Sequence, residues 1–312
     1  MLETCRNYLK GGVPEWLNGP VSNPDWRGGL AERFKATVSK TVLLKRKHRF
    51  ESCTLRVHRD ESRPHRMDQP FFSIIIPTLN EEKDLPLLLT SIEKQTDKDF
   101  EIIVVDGQST DNTKERAERF INRIPNFRFI VHKCKNVSVG RNYGSTFTQG
   151  KFLIFFDADV EIEKNFIKKI KEKIIGYNLD ITTVWNRPKT SGLTGKIALT
   201  LVNLGMSIFQ KIKPGANGPC IIIKKELFEG LRGFDEKIIF GEDFDLIQRA
   251  WRKKARFKVF PKPILYVSTR RFEKEGLLMT IYKSGRALLY QLFFGPIKKP
   301  IFDYQMGGQY YK

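Results

Sequence analysis

The sequence predicts an α/β protein with a Rossmann-like, mostly parallel central sheet and helices on both faces. Short apolar runs of strand length alternate with helical segments from residue 71 onward. This alternation is typical of parallel sheets whose connecting helices cover both faces. Three of the apolar runs end directly in polar clusters, and ligands of such sheets bind beyond the carboxyl ends of the strands. The pattern therefore predicts both a fold class and the sheet edge that binds a ligand.

The first half of the pattern is regular. Continuous apolar runs predict buried strands, and apolar residues recurring on one side predict helices. Strands are predicted over 71–77, 100–106, 127–132 and 150–156. Helices are predicted over 85–95, 111–121 and 139–147.

The second half is less regular. Strands are predicted over 181–185, 220–223, 257–260 and 264–267. Helices are predicted over 195–211, 242–252 and 277–294. The apolar sides of helices 195–211 and 277–294 either pack onto the sheet or lie on an anionic membrane surface, since lysines follow each helix. No repeat and no linker is visible, so 67–312 is predicted to be one domain.

Composition limits the choice of partners. The 312 residues include 55 Lys and Arg against 35 Asp and Glu, a formal charge of +20. Such a charge favours nucleic acid, anionic lipid or a phosphorylated substrate as partner. The four cysteines show no paired spacing, which indicates a reducing compartment. No apolar run of membrane-spanning length and no secretory signal is visible, so we expect a cytoplasmic protein.

The first 66 residues differ from the rest. They hold three of the four histidines and almost no periodic apolar pattern. The phrases Gly12-Val-Pro-Glu-Trp-Leu-Asn-Gly19 and Arg49-Phe-Glu-Ser52 resemble a translated transfer RNA gene. One hypothesis is that translation starts at Met67 and that residues 1–66 are a spurious extension. The alternative is a disordered basic arm, which the composition also permits.

Two carboxylates follow the fourth predicted strand. Asp157 and Asp159 come directly after Phe152-Leu-Ile-Phe-Phe156. On extended backbone, alternate side chains point to the same side. Two such carboxylates suit a hard divalent cation, which prefers oxygen ligands, and a cation can hold a diphosphate leaving group. The alternative is a polar exit from the strand, where Asp is common.

The order of motifs resembles that of family 2 glycosyltransferases, which are inverting enzymes with the GT-A fold. The resemblance covers nearly all of residues 71–270. The motifs that carry it are Ser73-Ile-Ile-Ile-Pro-Thr-Leu-Asn-Glu81, Ile103-Val-Val-Asp-Gly-Gln-Ser-Thr-Asp111, Gly140-Arg-Asn142, Asp157-Ala-Asp159 and Gly241-Glu-Asp243. The resemblance implies a nucleotide-binding half, 67–160, and an acceptor-binding half, 161–312, that includes the C-terminal helix.

The resemblance also implies a set of donor-binding residues. Asp106 would accept a hydrogen bond from the base imide, and Gly107 would let the base and ribose approach the backbone. The family's usual Asp-Asp-Gly-Ser is altered here, because a single Asp precedes Gly107 and Gln108 follows it. Arg141 would contact a phosphate or, alternatively, be a solvated surface charge. The full set of implied donor-binding residues is Pro77, Thr78, Asn80, Glu81, Asp106, Gly107, Arg141 and Asp157.

The two remaining motifs of the resemblance imply a metal site and a general base. Asp159, with Asp157, would ligate Mn²⁺ or Mg²⁺. Asp243 would be the general base that deprotonates the acceptor hydroxyl, with Glu242 as the second candidate. The alternative for this acidic pair is stabilisation of a helix N-terminus through the helix dipole.

The function predicted is transfer of a sugar, from a UDP-sugar by preference, to a glycan or lipid-linked hydroxyl acceptor in cell-envelope glycan or glycolipid synthesis. Peripheral contact with the inner face of the plasma membrane is part of this expectation. A sugar-phosphate nucleotidyltransferase is a second hypothesis, but it would carry a basic glycine-rich loop where residues 78–82 are acidic. A basic nucleic-acid-binding protein is a third, but most phenylalanines here lie in predicted core segments rather than between basic residues. Binding of nucleic acid is therefore not expected.

Overall fold

A computed structural model of the chain describes residues 69–134, 136–189, 193–216 and 218–268, together with positions 279, 282, 283, 286, 287, 290 and 295–298. The predictions for residues 1–66 lie outside this part of the chain. Most of the helix predicted over 277–294 lies outside it as well, and its described positions are helical.

Eight strands form a single sheet. Its order is β3-β2-β1-β4-β7-β6-β8-β5. The strands are β1 Phe72–Thr78, β2 Phe100–Asp106, β3 Phe127–Val131, β4 Phe152–Phe156, β5 Val160–Ile162, β6 Ile181–Pro188, β7 Cys220–Lys224 and β8 Phe257–Val267. The first four neighbours are parallel, β7 is antiparallel to both β4 and β6, and β8 pairs in parallel with β6. This is the mostly parallel sheet that the sequence predicts.

Seven helices connect the strands in the described part of the chain. They are α1 Leu85–Glu93, α2 Thr113–Glu118, α3 Val137–Ser145, α4 Phe166–Tyr177, α5 Leu193–Phe209, α6 Lys225–Gly230 and α7 Glu242–Arg252. None of them combines the length and apolarity needed to cross a bilayer.

Two hydrophobic clusters lie on opposite faces of the sheet. Alternate residues of β1 separate between them, because side chains along a strand point to opposite faces. Ile74 and Ile76 belong to the cluster that contains the buried residues of α1 and α4. Ile75 belongs to the cluster that contains the buried residues of α6 and α7. The central strands are therefore apolar on both faces, which is why their sequences read as continuous apolar runs.

Three described elements are missing from the sequence prediction. Strand β5 has three residues and helix α6 has six, and both are too short for a periodic signal. Helix α4 does have a helical apolar spacing, with buried residues at Phe166, Ile170 and Ile174. The two strands predicted over 257–260 and 264–267 form one strand, β8. Extended backbone through Asp157–Asp159 is also a wrong prediction, because Ala158 and Asp159 form a turn.

Helix α3 lies unusually close to the sheet. A Cβ atom at Gly144 would lie 2.6 Å from Cγ2 of Ile75 and 2.9 Å from Cγ2 of Val105. A Cβ atom at Gly140 would lie 3.1 Å from Cβ of Pro77. Because both positions lack a side chain, the helix axis can approach the surface of β1 and β2. This approach brings the neighbouring side chains of α3 to the carboxyl edge of the sheet.

We predict that Gly144→Ala destabilises the protein. The added methyl group overlaps two side chains of a fully buried strand surface, and overpacking of this kind costs roughly 1–3 kcal/mol. Gly176→Ala on α4 is the matched control, because nothing lies within 4 Å of its Cβ position. The control is expected to be neutral or stabilising by up to about 1 kcal/mol. Urea unfolding measures both; equal stability of the two variants would contradict the close packing of α3.

Candidate active site

The carboxyl ends of β1, β2 and β4 lie side by side. Strand β1 is paired in parallel with β2 on one side and with β4 on the other. Asp106 is the last residue of β2, and Asp157 directly follows β4. Since neighbouring strands are about 4.8 Å apart, the backbones of the two acids are separated by about 10 Å across the end of β1. Acids far apart in the sequence thus reach one edge of the sheet.

Arg141 of α3 joins this edge to helix α7. Its side chain is only 1% exposed, so the alternative of a solvated surface charge is wrong. Nη2 donates to Oδ1 of Asp157 at 2.7 Å, and Nη1 donates to Oε1 of Glu242 at 2.9 Å. Both terminal nitrogens of the guanidinium are therefore occupied by carboxylates, one directly after β4 and one at the start of α7.

Two further groups surround the guanidinium of Arg141. Nη2 also donates to the carbonyl oxygen of Gly218 at 3.2 Å, and the guanidinium carbon lies 5.2 Å from the ring centre of Phe234. Burial acts to lower the pKa of Arg141, but the nearby carboxylates outweigh burial and raise it. The guanidinium therefore stays charged in the interior, and a buried charge of this kind depends on its partners.

Asp243 is the second acid of α7. Its carboxyl lies against Gly218, where a Cβ atom would be 3.4 Å from Oδ2. Burial of the carboxyl and the adjacent Glu242 raise the pKa of Asp243 to about 7, although the backbone N–H of Phe244 and the charge of Arg141 act in the opposite direction. A carboxyl with a pKa near 7 can accept a proton at neutral pH.

Helix α7 begins at an unusual residue. Gly241 at its N-cap has φ +79°, in the left-handed region that favours glycine. No side chain caps the helix, and three acids occupy its first turn. The helix dipole favours negative charge there. Asp245 is ion-paired with Arg249 at 2.7 Å, so it stabilises the helix and faces a different partner from Glu242.

Asn142 fixes the segment that leads into α7. Its Nδ2 donates to the carbonyl oxygen of Phe234 at 2.9 Å and to Oε1 of Glu236 at 2.9 Å. Its Oδ1 accepts from the backbone N–H of Phe234 at 2.9 Å. Gly233 has φ +68°, and a Cβ atom there would lie 2.5 Å from Oδ1 of Asn142. Arg141 and Asn142 are thus consecutive residues that both hold the segment 233–242.

The predicted donor-binding loops are connected to each other. Ser109 donates to Asp106 through both its backbone N–H, at 2.9 Å, and its hydroxyl, at 2.5 Å. Oδ1 of Asn80 accepts from the backbone N–H of Thr110 at 2.8 Å. The backbone N–H of Gly107 donates to the carbonyl oxygen of Thr78 at 2.8 Å. Asn80 and Asp106 therefore stabilise the loops after β1 and β2 through hydrogen bonds within the protein.

Other predicted donor-binding residues are buried at the same edge. The hydroxyl of Thr78 and Nε of Arg141 are buried and have no hydrogen-bond partner within the described residues. Unpartnered buried polar atoms are rare in folded proteins and often mark functional sites. Glu81 is 4% exposed, and its backbone N–H donates to Oγ1 of Thr113 at 2.8 Å. Pro77 lies beneath Gly140 of α3.

The metal prediction rests on Asp157 and Asp159. Asp159 lies in the turn between β4 and β5, two residues beyond Asp157, and both residues are partly buried. The described residues contain no group of three or more His, Cys, Asp or Glu side chains arranged to hold a metal ion. Mg²⁺ in proteins commonly takes only one or two carboxylates and completes its shell with substrate phosphates and water. The two carboxylates fit a divalent ion that is held jointly with a nucleotide.

Some residues of the site were not predicted. The ring of Phe234 lies against Arg141, and Asn142 bonds to Phe234 and Glu236, but sequence analysis gave neither residue a role. The Gly140-Arg-Asn142 motif was the available signal for Asn142, because the motif itself supplies both contacts to segment 233–242. Phe234 acts through its ring face, and such a contact leaves no motif in the sequence.

Comparison with known proteins identifies the family. The profile described as "Glycosyl transferase family 2" matches residues 73–231. The chain belongs to glycosyltransferase family 2. The predicted family and enzyme class are thereby confirmed.

Relatives of this glycosyltransferase chain are matched over part of their length. It is 43% identical over 95 residues to a PGL/p-HBAD biosynthesis glycosyltransferase of Mycobacterium tuberculosis, covering 30% of this chain and 37% of that protein. It is 26% identical over 215 residues to the poly(ribitol-phosphate) beta-N-acetylglucosaminyltransferase TarS of Staphylococcus aureus, covering 64% of this chain and 36% of TarS. The chain thus spans little more than a third of these relatives.

Solved structures confirm the GT-A fold of this glycosyltransferase. The crystal structure of S. aureus TarS 1–349 in complex with UDP-GlcNAc has a TM-score of 0.51 and 25% identity, covering 64% of this chain and 58% of that one. The mannosyltransferase PcManGT from Pyrobaculum calidifontis, in complex with GDP-Man and Mn²⁺, has a TM-score of 0.56 and 19% identity, covering 70% and 65%. The second likeness shows the fold alone.

We predict that Asp243→Asn makes the glycosyltransferase more stable at high pH. The pKa of Asp243 is raised in the folded state to about 7, so the folded protein binds an extra proton between its ordinary pKa of 3.8 and 7. The free energy of unfolding therefore falls as pH rises through this window, by up to roughly 4 kcal/mol. Because Asn does not titrate, the variant does not lose this free energy of unfolding as pH rises.

Thermal unfolding between pH 4 and pH 8 measures the effect of Asp243→Asn. The advantage of the variant should grow with pH and level off above about pH 7, because the loss is complete once Asp243 is ionised. Glu229→Gln, which removes a carboxyl that is 63% exposed, is the control and should show no such trend. A constant difference between Asp243→Asn and the unmodified protein across this range contradicts the raised pKa.

Proposed function

We propose that this protein transfers a sugar from a nucleotide-diphosphate donor, by preference a UDP-sugar, to a hydroxyl acceptor with inversion at the sugar carbon. One observation carries the proposal. Arg141 ties Asp157, at the donor edge of the sheet, to Glu242, which lies beside a carboxyl with a pKa of about 7. Donor-side and acceptor-side acids are thus held in one cluster by a single side chain.

The donor would bind at the carboxyl edge of β1, β2 and β4. Asp106 keeps acceptor capacity on its carboxylate oxygens for the base imide, in addition to its bonds to Ser109. Thr78 offers a buried hydroxyl without a hydrogen-bond partner in the described part of the chain. The UDP-GlcNAc complex of TarS supports a uridine donor, which is also the donor that the family resemblance implies.

A divalent metal, Mn²⁺ or Mg²⁺, would be held by Asp157 and Asp159 together with the donor diphosphate, and when bound it would stabilise the charge of that leaving group. The Mn²⁺ complex of PcManGT supports this choice of ion. Oδ1 of Asp157 is fixed by Arg141, which leaves its other oxygen for this role. Arg141 is thereby a positioning residue for Asp157, in place of the phosphate contact that the resemblance implies.

Asp243 would act as the general base. Its carboxylate takes the proton of the acceptor hydroxyl, the hydroxyl oxygen forms a bond to the sugar carbon, and the bond to the diphosphate breaks on the opposite face. Glu242 is engaged with Arg141, which leaves it less suited to accept a proton than Asp243. Glu242 would instead hold the pKa of its neighbour near neutral pH.

The relatives of the chain extend the proposal to the class of acceptor and to the location of the protein in the cell. Relatives named for PGL/p-HBAD biosynthesis and for poly(ribitol-phosphate) modification support a glycan or lipid-linked acceptor in cell-envelope synthesis. We place the protein in the cytoplasm, in peripheral contact with the inner face of the plasma membrane. We also retain residues 67–312 as one domain, with a donor-binding half, 67–160, and an acceptor-binding half, 161–312.

The test separates donor binding from chemistry. Thermal shifts are measured with a panel of nucleotide diphosphates, with and without Mn²⁺, and turnover is measured with the corresponding nucleotide sugars. Asp159→Ala should lose the metal-dependent part of the stabilisation, because one of two carboxylate ligands is missing. Asp243→Asn should keep the metal-dependent shift but lose turnover by about 10²- to 10⁴-fold, as expected for removal of a general base.

Glu172→Ala, which removes an exposed carboxyl on α4, is the control for both measurements. It should leave the thermal shifts and the turnover unchanged. Full activity of Asp243→Asn would show that another group accepts the proton. An unchanged Mn²⁺ effect in Asp159→Ala would remove this residue from the metal site.

A further inference from the structure

Helix α5 contacts the sheet through a partly polar side. Leu199 and Asn203 are buried there. Nδ2 of Asn203 donates to the carbonyl oxygen of Asn186 at 2.8 Å, and its Oδ1 accepts from the backbone N–H of Asn186 at 3.1 Å. The Ser207 hydroxyl accepts from Nε1 of Trp185 at 2.8 Å. Specific hydrogen bonds to β6 thus fix which side of the helix faces the protein.

The opposite side of α5 is apolar and exposed. A surface helix normally turns its polar residues outward, but here the outward residues are large and hydrophobic. Their side chains are between 44% and 72% exposed, and they continue one turn beyond the helix. They are Ile197, Leu201, Val202, Leu204, Ile208, Phe209 and Ile212. We call this set the α5 outer face; contiguous apolar surfaces of this kind mark interaction sites.

The charged residues of the segment that carries the α5 outer face have one sign. No Asp or Glu occurs between Asp180 and Glu226, whereas this stretch contains seven Lys and Arg residues. Lys196 lies on the helix, and Lys211 and Lys213 flank Ile212 at its end; all three are exposed. An apolar surface bordered by basic residues complements an anionic lipid surface, where hydrophobic burial and electrostatic attraction act together.

We propose that the α5 outer face docks on the interface of an anionic lipid bilayer, with the helix lying in the plane of the membrane. A second copy of the chain fits the face less well. A symmetric contact places the same patch on both subunits. Lys196, Lys211 and Lys213 of one subunit would then lie near the same set of lysines on the other, and the segment has no acid to neutralise them. The helix is about 25 Å long, and its ends carry the lysines that would reach the headgroups.

Docking would place the active site at the membrane. Helix α5 is followed closely in the chain by Gly218, the residue that contacts both Arg141 and Asp243. Gln248 of α7 donates to the carbonyl oxygen of Pro214, and a Cβ at Gly215 would lie 3.0 Å from the ring of Phe244. The residues that directly follow the proposed docking helix therefore contact α7 and Asp243. This inference rests on the proposed function in one respect: it assigns a lipid-linked acceptor.

Vesicle flotation with the full chain tests the docking surface. The vesicles contain phosphatidylglycerol and phosphatidylcholine in equal parts, or phosphatidylcholine alone. We expect binding to the anionic vesicles at low salt, and weaker binding at about 0.5 M salt, where charges are screened within a few ångströms. The variant Leu201→Gln/Leu204→Gln/Ile208→Gln keeps every charge and should bind at least about tenfold more weakly, because apolar burial is lost.

A matched variant controls for the loss of exposed apolar surface. Ile121→Gln/Ile175→Gln replaces two residues that are 45% and 62% exposed elsewhere on the protein, and its vesicle binding should stay within about twofold of the unmodified chain. Turnover with a water-soluble acceptor should be the same for all three proteins. Persisting turnover without vesicle binding overturns the docking proposal and leaves the proposed sugar transfer standing. Vesicle binding that depends on α5, without turnover, overturns the proposed sugar transfer and leaves the docking proposal standing.

Two other results overturn the docking proposal. The first is anionic-vesicle binding that the triple Gln variant retains in full, since this would place the contact on another surface. The second is a concentration-dependent dimer of the unmodified chain that the triple variant abolishes, with no vesicle binding by either protein. Light scattering during gel filtration detects such a dimer.

Discussion

The contact on which the site depends is the double ion pair of a buried arginine. Arg141 is enclosed by protein, and its two terminal nitrogens bind carboxylates that follow β4 and begin α7. Removing a charge from water is costly, and only close partners offset that cost. Because one partner follows β4 and the other begins α7, the two ion pairs hold the proposed base close to the carboxyl edge of the sheet. Burial and the adjacent Glu242 raise the pKa of Asp243 to about 7, and the charge of Arg141 limits this rise.

The position of Arg141 follows from residues that carry no chemistry. Gly140 and Gly144 allow α3 to lie on β1 and β2, and Asn142 holds the backbone at Phe234. A larger residue at either glycine would move the guanidinium away from the edge. The left-handed Gly241 then starts α7 so that Glu242 is its first residue. Small residues therefore set the position of Arg141. Arg141 in turn links the end of β4 to the start of α7.

Much of the fold could be predicted from the sequence. The strands β1, β2 and β4 are apolar on both faces, so they read as continuous runs, and the limits predicted for β2 and α7 agree with the structure. Short elements such as β5 and α6 were not predicted, because a periodic pattern can be recognised only in a longer segment. The acids of the site were predicted from their motifs, but the burial of Arg141 was not. Burial depends on how α3, α7 and Gly218 meet, and that arrangement is a tertiary property. The outward apolar side of α5 was likewise ambiguous, because an apolar helix side has the same sequence pattern whether a sheet or a membrane covers it.

A double-mutant cycle between Arg141 and Glu242 tests the central claim most directly. Arg141→Met, Glu242→Gln and the double variant are compared by urea unfolding at pH 7, and the exposed pair of Arg123 and Glu93, at 2.6 Å, serves as the reference cycle. The buried pair should show a coupling energy of about 1.5 kcal/mol or more, whereas the exposed pair should show less than about 1 kcal/mol. Additive effects at Arg141 and Glu242, or a coupling no larger than that of the exposed pair, would contradict the account.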